Sequence, residues 1–218
     1  MSSWYSGGYD PETEAQAEAE SNFNKLFRYY LPIGKGGEIT FVDDTMTPME
    51  FKYQGEVITL KLPLIVREHQ MLLNGSWKNW FTCLRPTGKP CPPCGQGNKA
   101  ANVAVYTVID HNEWTDKNGN VHKDEEKLWV CKVSSVSYKF MKKQHAKRNG
   151  LRGCRFEVER LGDKSPNVGD TFEFLGKDEL DPKIQVPNYL ELFAPKSANE
   201  LKSVIGAVEA EEEEALPF

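Results

Sequence analysis

The sequence predicts a mainly β protein built on a small closed barrel. Segments rich in β-branched and aromatic residues recur along the chain and are separated by Gly and Pro, which is typical of strands joined by turns. Residues 67–100 instead hold Gly, Pro, Cys and Trp without a sustained period, which indicates a loop-rich insertion. Five or more strands with an insertion and a few short helices fit the five-stranded OB-fold barrel, and they fit other small barrels as well.

The predicted elements follow in chain order. Strands are expected over residues 39–42, 50–53, 57–66, 102–110, 127–133, 156–160 and 171–175. The pair Asn118-Gly119 predicts a hairpin turn before the strand at 127–133. Apolar residues at helical spacing predict an amphipathic helix from 134 to about 148. A last helix is expected to begin at the capping box formed by Ser197 and Glu200.

Charge separates the two ends of the chain from its body. Residues 1–20 hold five acids, residues 207–218 hold five more, and neither segment has a Lys or Arg. Such blocks stay disordered and often bind other proteins, although a purely solubilising tail is the alternative. The predicted organisation is an acidic disordered segment (1–22), an OB-fold core (23–196) with its inserted subdomain at about 67–100, a helix (197–208) and an acidic tail (209–218).

The sequence has the features of a cytosolic protein that does not contact membranes. A signal peptide would need a basic start and an apolar stretch, and the chain opens with neither. No run approaches the roughly 18 apolar residues that a membrane helix needs. In a reducing compartment, we expect the five cysteines to bind metal or stay free rather than form disulfides.

Four residues of the insertion have the chemistry and order of a closed zinc site. His69 and Cys83 precede the pair Cys91 and Cys94, whose Cys-x-x-Cys spacing on a Pro-rich turn directs two thiolates to one point. Together they form a Cys3His set, which predicts one structural Zn2+ and leaves no open position for hydrolysis. Binding would contribute on the order of 10 kcal/mol to the folding of a module with little core of its own.

Two other chemistries share parts of this pattern. Cys91 and Cys94 also match a redox motif, but Gly95 and Gly97 make a poor start for the helix that such a motif needs. A zinc deaminase carries a His-x-Glu before its Cys pair, whereas residues 111–113 follow the pair here. Elsewhere we expect solvated side chains for His111, His122 and His145, a core position for Cys131 and a free thiol at Cys154.

Bases and aromatic residues together indicate a surface for single-stranded nucleic acid. Residues 132–155 hold eight Lys or Arg and no acid, and the insertion adds further bases beside its tryptophans. Cations of this kind follow phosphates while aromatic faces stack on unpaired bases. The candidate DNA-contacting residues are Arg28, Tyr29, Arg67, Trp77, Lys78, Trp80, Arg85, Lys99, Tyr106, Lys139, Lys142, Lys143, Lys147 and Arg148. The core is expected to take Phe41, Phe51, Trp129, Phe140 and Phe156.

These features together resemble the zinc-containing single-stranded-DNA-binding proteins of tailed bacteriophages. The most specific shared feature is the order of His69, Cys83 and the Cys pair after the first strands of a barrel. The opening residues 27–32 and the segment 39–43 are also similar to phage relatives, and the resemblance covers roughly residues 23–195. The acidic end with its terminal Pro-Phe resembles the tails of bacterial single-strand-binding proteins.

The resemblance implies a protein without enzymatic activity that coats single-stranded DNA, regardless of sequence, during phage replication, recombination and repair in the cytoplasm of the infected bacterium. It implies an OB-fold with a zinc subdomain. It further implies recruitment of polymerase, helicase or primase, and recombination factors through Glu211, Glu212, Glu213, Glu214, Leu216, Pro217 and Phe218. The best-known members self-associate through a basic N-terminal segment, whereas residues 1–20 are acidic here. A zinc-bearing transcription or recombination adaptor that acts through protein contacts is the alternative.

Overall fold

The computed structural model describes residues 26–73, 75–116 and 118–205. The acidic segments predicted at 1–22 and 209–218 therefore lie outside the described residues. Within them, the strands are β1 (Lys35–Phe41), β2 (Met49–Tyr53), β3 (Glu56–Leu60), β4 (Leu64–Leu73), β5 (Ser76–Thr82), β6 (Ala101–Asp110), β7 (Trp114–Thr115), β8 (Val121–His122), β9 (Glu125–Lys132), β10 (Cys154–Arg160) and β11 (Thr171–Lys177). The helices are a 3-10 turn (Arg85–Thr87), α1 (Pro92–Gly95), α2 (Val136–Arg148), α3 (Tyr189–Leu192) and α4, described over 198–205.

The β-strands occur where the alternating pattern predicts them, with two differences. The expected strand at 57–66 is divided into β3 and β4, because Pro63 lies between them and cannot donate to a ladder. The insertion is also more regular than its composition indicates, since β4 runs on to Leu73 and pairs with β5. The loop-rich part therefore begins only at Cys83, after the β4–β5 hairpin.

One antiparallel sheet of seven strands carries the fold. Its order is β11-β10-β1-β6-β4-β5, and β9 pairs with the other edge of β6. Along a single edge of β6, residues 101–105 pair with β4 and residues 108–110 pair with β1. Among the described residues no ladder joins β9 to β11, so the sheet is open. The closed five-stranded barrel expected from the sequence is not formed.

Helix α2 and the segment before β1 fill the gap between β9 and β11. Phe140 of α2 stacks on Phe172 of β11 with ring centroids 4.9 Å apart. Beside β9, the N–H of Tyr29 donates to the carbonyl of Leu128 at 2.8 Å, and the N–H of Leu31 donates to the carbonyl of Asn167 at 2.8 Å. These contacts enclose the core without a continuous ladder.

The main core lies on the concave face of the sheet. Phe41 makes edge-to-face contacts with Tyr106, Trp129 and Phe156 at centroid distances of 5.4, 5.6 and 5.8 Å. A second core lies behind β6, where Phe51 packs near Tyr189 of α3. Alternate residues of β6 pack into the two cores, which explains why this strand is buried on both faces. The core positions expected for the five aromatic residues are confirmed, with Phe140 only partly buried.

Helix α2 begins and ends as its sequence dictates. The Ser135 side chain accepts a hydrogen bond from the N–H of Tyr138 at 3.2 Å, which satisfies one free donor of the first turn. At the other end Asn149 adopts a left-handed conformation with φ of 54°, and Gly150 follows with φ of 104°. The helix buries Ser137 and Met141 and packs Tyr138 and Phe140 partly against the core, so that mainly its lysine side chains are left to water.

Candidate metal centre and nucleic-acid surface

The four predicted metal ligands come together in the structure, and their ligand atoms all lie within 4.8 Å of one another. They are His69, Cys83, Cys91 and Cys94. The Cys83 sulfur lies 3.9 Å from that of Cys91 and 3.7 Å from that of Cys94. His69 Nε2 lies 3.3 Å and 3.5 Å from the same two sulfurs. A tetrahedral ion with bonds of about 2.3 Å to sulfur and 2.05 Å to nitrogen separates sulfur pairs by about 3.75 Å and nitrogen from sulfur by about 3.5 Å. The cluster could therefore hold a metal ion.

Three local structures deliver the four ligands. His69 lies within β4, and Cys83 follows directly after β5, where its N–H donates to the carbonyl of Arg67 at 2.7 Å. Cys91 is the N-cap of α1 and Cys94 lies in its single turn. Proline at the first positions of this helix costs no hydrogen bond, because those N–H groups have no partner within a helix. Strand pairing thus positions His69 and Cys83, and the proline-containing turn of α1 positions Cys91 and Cys94.

Asn98 orients the histidine ligand and is a residue that sequence reasoning missed. Its Oδ1 lies 2.9 Å from His69 Nδ1, and its Nδ2 donates to the carbonyl of Gln70 at 3.0 Å. The bond to the carbonyl fixes the amide so that Oδ1 accepts, which places the proton of His69 on Nδ1. Nε2 is then the free lone pair that faces the sulfurs. The spacing of the ligands gives no indication of this partner.

Without a cation, the thiols of the cluster do not ionise alike. Burial, together with the contacts that Cys94 makes with Cys83 and Cys91, raises the pKa of Cys94 to about 11. For Cys91 burial also raises the pKa, but hydrogen bonds from the N–H groups of Cys94 and Leu84 outweigh it, so that its pKa is lowered. A divalent cation would compensate the charges of all three thiolates, since metal binding releases the thiol protons.

Helix α4 covers the metal cluster. Leu201 is only 1% exposed and packs with Cys83, Leu84 and Cys91, while Ile205 packs against the β4–β5 hairpin. Ser197 and Glu200 form the reciprocal bonds of a capping box, at 2.7 and 3.2 Å, as the sequence predicts. The amphipathic pattern predicted this helix, but its docking site is a property of the tertiary structure.

The basic helix α2 exposes four lysines to solvent. Lys139, Lys142, Lys143 and Lys147 are exposed, and none takes part in an ion pair with the residues that the structure describes. Arg148 differs, since its guanidinium lies 3.1 Å from the centre of the Phe174 ring and donates to Gln144. These four lysines therefore form a basic surface on one short helix.

The other exposed candidates for DNA contact lie on the β4–β5 hairpin and on the metal module, by which we mean the segment 83–100 that follows the hairpin. Trp77 is 58% exposed, and Lys78 beside it is exposed as well. The other candidate bases of this region, Arg67, Arg85 and Lys99, are exposed as well. Trp80 is only half-buried, but one face of its ring is covered by the guanidinium of Arg28 at 4.1 Å.

Three of the predicted DNA-contacting residues do not lie at a free surface. Tyr106 is 2% exposed in the main core, and Tyr29 is 3% exposed, so neither ring can stack on a base. Arg28 forms an ion pair with Glu68, in which both guanidinium NH groups bond the carboxylate. Burial therefore argues against the predicted roles of Tyr29 and Tyr106, because composition does not reveal which side of a strand faces the core. The DNA contact of Arg28, which is half-buried, stays a prediction. In the segment before β1 it is Tyr30 that is exposed.

The other histidines and cysteines are more constrained than expected. His111 bonds Thr40 Oγ1 at 2.8 Å and Asp124 Oδ1 at 2.5 Å, so it is not simply solvated. His122 stacks on a tryptophan ring between two carboxylates, and His145 bonds the carbonyl of Thr45. Cys131 lies in the core as predicted, and burial raises its pKa to about 12. Cys154 is a free thiol, but a fully buried one.

The described helices and the comparisons with known proteins give no further indication of a function. Within the described ranges, no helix is both long and apolar enough to cross a bilayer. No protein-family model, curated protein or solved structure matches this chain.

Proposed function

We propose that this protein binds single-stranded DNA regardless of its sequence. The observation that carries the proposal is the row of exposed lysines on α2, which have no carboxylate partners among the described residues. Charges of this kind gain free energy by releasing the counterions of a phosphate backbone. A single strand is favoured over a duplex because the chain also exposes aromatic rings, and only unpaired bases offer faces for stacking.

The β4–β5 hairpin is the second part of the proposed surface. Trp77 supplies an exposed ring beside Lys78, and Arg67 lies on the strand that carries the metal ligand His69. A hairpin that protrudes from its sheet needs support to hold a ring in one position, because an isolated two-stranded hairpin is marginally stable. The metal module and α4 give this support from one side.

We infer that the ion in the cluster is one structural Zn2+. Three thiols and an imidazole are ligands that zinc prefers, and four protein ligands complete a tetrahedron. Because no position is left for water or substrate, the ion would stabilise the module rather than catalyse a reaction. We propose that the open sheet is a variant of the OB-fold, in which helix α2 takes the place of the hydrogen-bonded ladder between β9 and β11 that would close the barrel.

The acidic tail is proposed to recruit replication and recombination proteins in the bacterial cytoplasm. Residues 209–218 lie outside the described residues, but the preceding helix α4 ends its described part with Ile205 packed against Met71 and Leu73. The final Phe218 of the tail offers an aromatic ring and a carboxylate together, which suit an apolar pocket bordered by Arg or Lys.

A fluorescence titration tests the proposed function directly. Oligo-dT and the matching duplex are added to the zinc-loaded protein at several salt concentrations, and tryptophan emission is recorded. Strong quenching by the single strand alone, with affinity that falls as salt rises, is the expected result. Trp77→Phe should reduce the quenching, because Trp77 is the most exposed of the described tryptophans at 58%, whereas Trp129 is fully buried and cannot report on a ligand.

The adaptor alternative predicts a different outcome of the same titration. A protein that uses the metal module only to hold other proteins would bind duplex as well as single strand, or neither. Equal affinity for the two DNAs, or no response to either, would therefore reject single-strand binding as the function.

A further inference from the structure

Arg160 occupies a position that the pattern of its strand reserves for an apolar residue. In β10, Cys154, Phe156 and Val158 point into the core, and Arg160 is the next residue on that face. It is only 6% exposed. A buried guanidinium is costly unless an anion and a full set of acceptors surround it, so its partners identify its role.

The partners that the described residues offer to Arg160 are incomplete. One NH group donates to the carbonyl of Leu31 at 3.1 Å, while Nε is buried without a hydrogen-bond partner. No described carboxylate forms an ion pair with it. Glu159 faces the opposite side of the strand, and the carboxylate of Asp170 accepts from the N–H of Leu161 and from a serine hydroxyl. Among the described parts of the chain, the cation therefore has no anionic partner.

An exposed aromatic ring lies directly above this cation. The guanidinium carbon of Arg160 is 5.5 Å from the centre of the Tyr30 ring, and Tyr30 is 59% exposed. The backbone around Tyr30 is held on both sides, because Tyr29 bonds Leu128 and Leu31 bonds Asn167, each at 2.8 Å. A ring on a fixed backbone loses little conformational entropy when a ligand stacks on it.

We propose that Tyr30 and Arg160 form a nucleotide subsite, in which the ring stacks on an unpaired base and the guanidinium binds the adjoining phosphate. This inference rests on the proposed function and adds residues that sequence reasoning did not assign. A phosphate supplies the missing anion, and a base covers the free face of the ring. Phe27 is a second exposed ring of this segment, at 71% exposure, and its carbonyl accepts a hydrogen bond from the N–H of Leu128 at 2.8 Å.

Paired variants separate the two contacts by fluorescence polarisation of labelled oligo-dT. Tyr30→Leu should lower affinity about five- to 150-fold with an unchanged salt slope, whereas Tyr30→Phe should bind like the wild type. Tyr53→Leu, on the β2–β3 hairpin, is the matched control and should have no effect. Arg160→Gln should flatten the slope of log K against log salt by about 0.7, since one phosphate contact is lost. Arg155→Gln is its control, because Arg155 lies on the other face of β10 in an ion pair with Glu38.

If Arg160→Gln fails to fold, a cross-linking measurement on the wild-type protein still tests the proposal. Oligonucleotides that carry 5-iododeoxyuridine are cross-linked by light, and the modified peptide is sequenced. A cross-link at Tyr30 supports the subsite. Wild-type affinity in Tyr30→Leu, together with cross-links only on α2 or the β4–β5 hairpin, overturns it and leaves single-strand binding intact. A wild-type protein that binds no single strand overturns both the subsite and the proposed function.

Discussion

The Tyr189 hydroxyl donates a hydrogen bond of 2.8 Å to the carboxylate of Asp43, and this bond joins helix α3 to the segment after β1. The backbone N–H of Thr107 donates to the other carboxylate oxygen at 3.0 Å. Asp43 is fully buried, and burial raises its pKa to about 7, although the two hydrogen bonds and the charge of Arg152 act in the opposite direction. A carboxyl group that changes charge near neutral pH therefore lies at the junction of three elements.

We expect Asp43 to make the protein less stable as the pH rises from about 4 to about 7. In the unfolded chain the group loses its proton near its ordinary pKa of 3.8, whereas the folded protein keeps the proton until the pH reaches about 7. The unfolded state thus binds fewer protons in this range, so the free energy of unfolding falls by up to about 1.4 kcal/mol per pH unit and by roughly 4 kcal/mol in total. Asp43→Asn mimics the protonated form and should remove this fall.

Urea unfolding of both proteins between pH 5 and pH 8 checks this expectation. Acid also displaces bound metal, but it does so in both proteins, so the difference between their curves isolates Asp43. Parallel curves would show that the carboxyl is already ionised in the folded protein at pH 5.

The purified protein should contain one Zn2+ per chain, and Cys91→Ser should lose it. Removal of one thiolate from a closed site leaves the β4–β5 hairpin and the turn at 91–95 without the metal ion that would join them. Proteolysis within residues 67–100 should therefore increase. DNA binding should weaken rather than vanish, because α2 lies elsewhere in the fold. Cys131→Ala, which removes a core thiol outside the cluster, should retain the metal. A metal-free preparation of unchanged stability would refute a structural role.

Asn98→Leu should lower zinc affinity about ten- to a hundredfold, as is typical when the hydrogen-bond partner of a metal-bound histidine is removed. The variant leaves all four ligands in place but no longer fixes the tautomer of His69. Asn98→Asp retains an acceptor for the same N–H and should keep zinc. Competition with a chromophoric chelator measures both constants, and equal affinities in the Leu variant and the wild type would contradict the role of Asn98.

Reversal of Lys142 and Lys143 to Glu should flatten the salt dependence of single-strand binding. For single strands log K falls with log salt by about 0.7 per phosphate neutralised, so loss of both contacts should reduce the slope by up to about 1.4. The matched control reverses Lys52 and Lys61, two exposed lysines of the β2–β3 region, and changes the net charge equally. An identical effect of the two double variants would mean that net charge alone, rather than the surface of α2, determines binding.

Deletion of Phe218 should abolish recruitment of replication and recombination proteins in a pull-down, while DNA binding stays as it is. Burial of the ring is worth roughly 1.5–3 kcal/mol, or about ten- to a hundredfold in affinity. Deletion of residues 209–218 should in addition strengthen DNA binding at low salt, because five glutamates no longer compete with phosphate for the lysines. Partners captured equally well without Phe218 would reduce the tail to a solubilising charge block.

The sequence alone determined most of the strands, the two longer helices α2 and α4, and the four residues of the candidate metal cluster, because each follows from local chemistry. Alternation along β10 places Phe156 and Val158 on one face whatever their neighbours are, and the Cys-x-x-Cys turn directs its thiolates to one point by its own geometry. The capping box of α4 is likewise a contact between residues three positions apart. Such features need no information from distant parts of the chain.

The tertiary structure alone decided which polar and aromatic residues meet across large separations in the chain. Tyr29 and Tyr30 are chemically alike, and only the strand beside them makes one a core residue and the other a surface ring. Arg160 lies beneath Tyr30 although 130 residues of sequence separate them, and the sheet is open because no ladder among the described residues joins β9 to β11. The physical reason is that burial depends on what packs against a residue, and long-range packing is not encoded in any single segment.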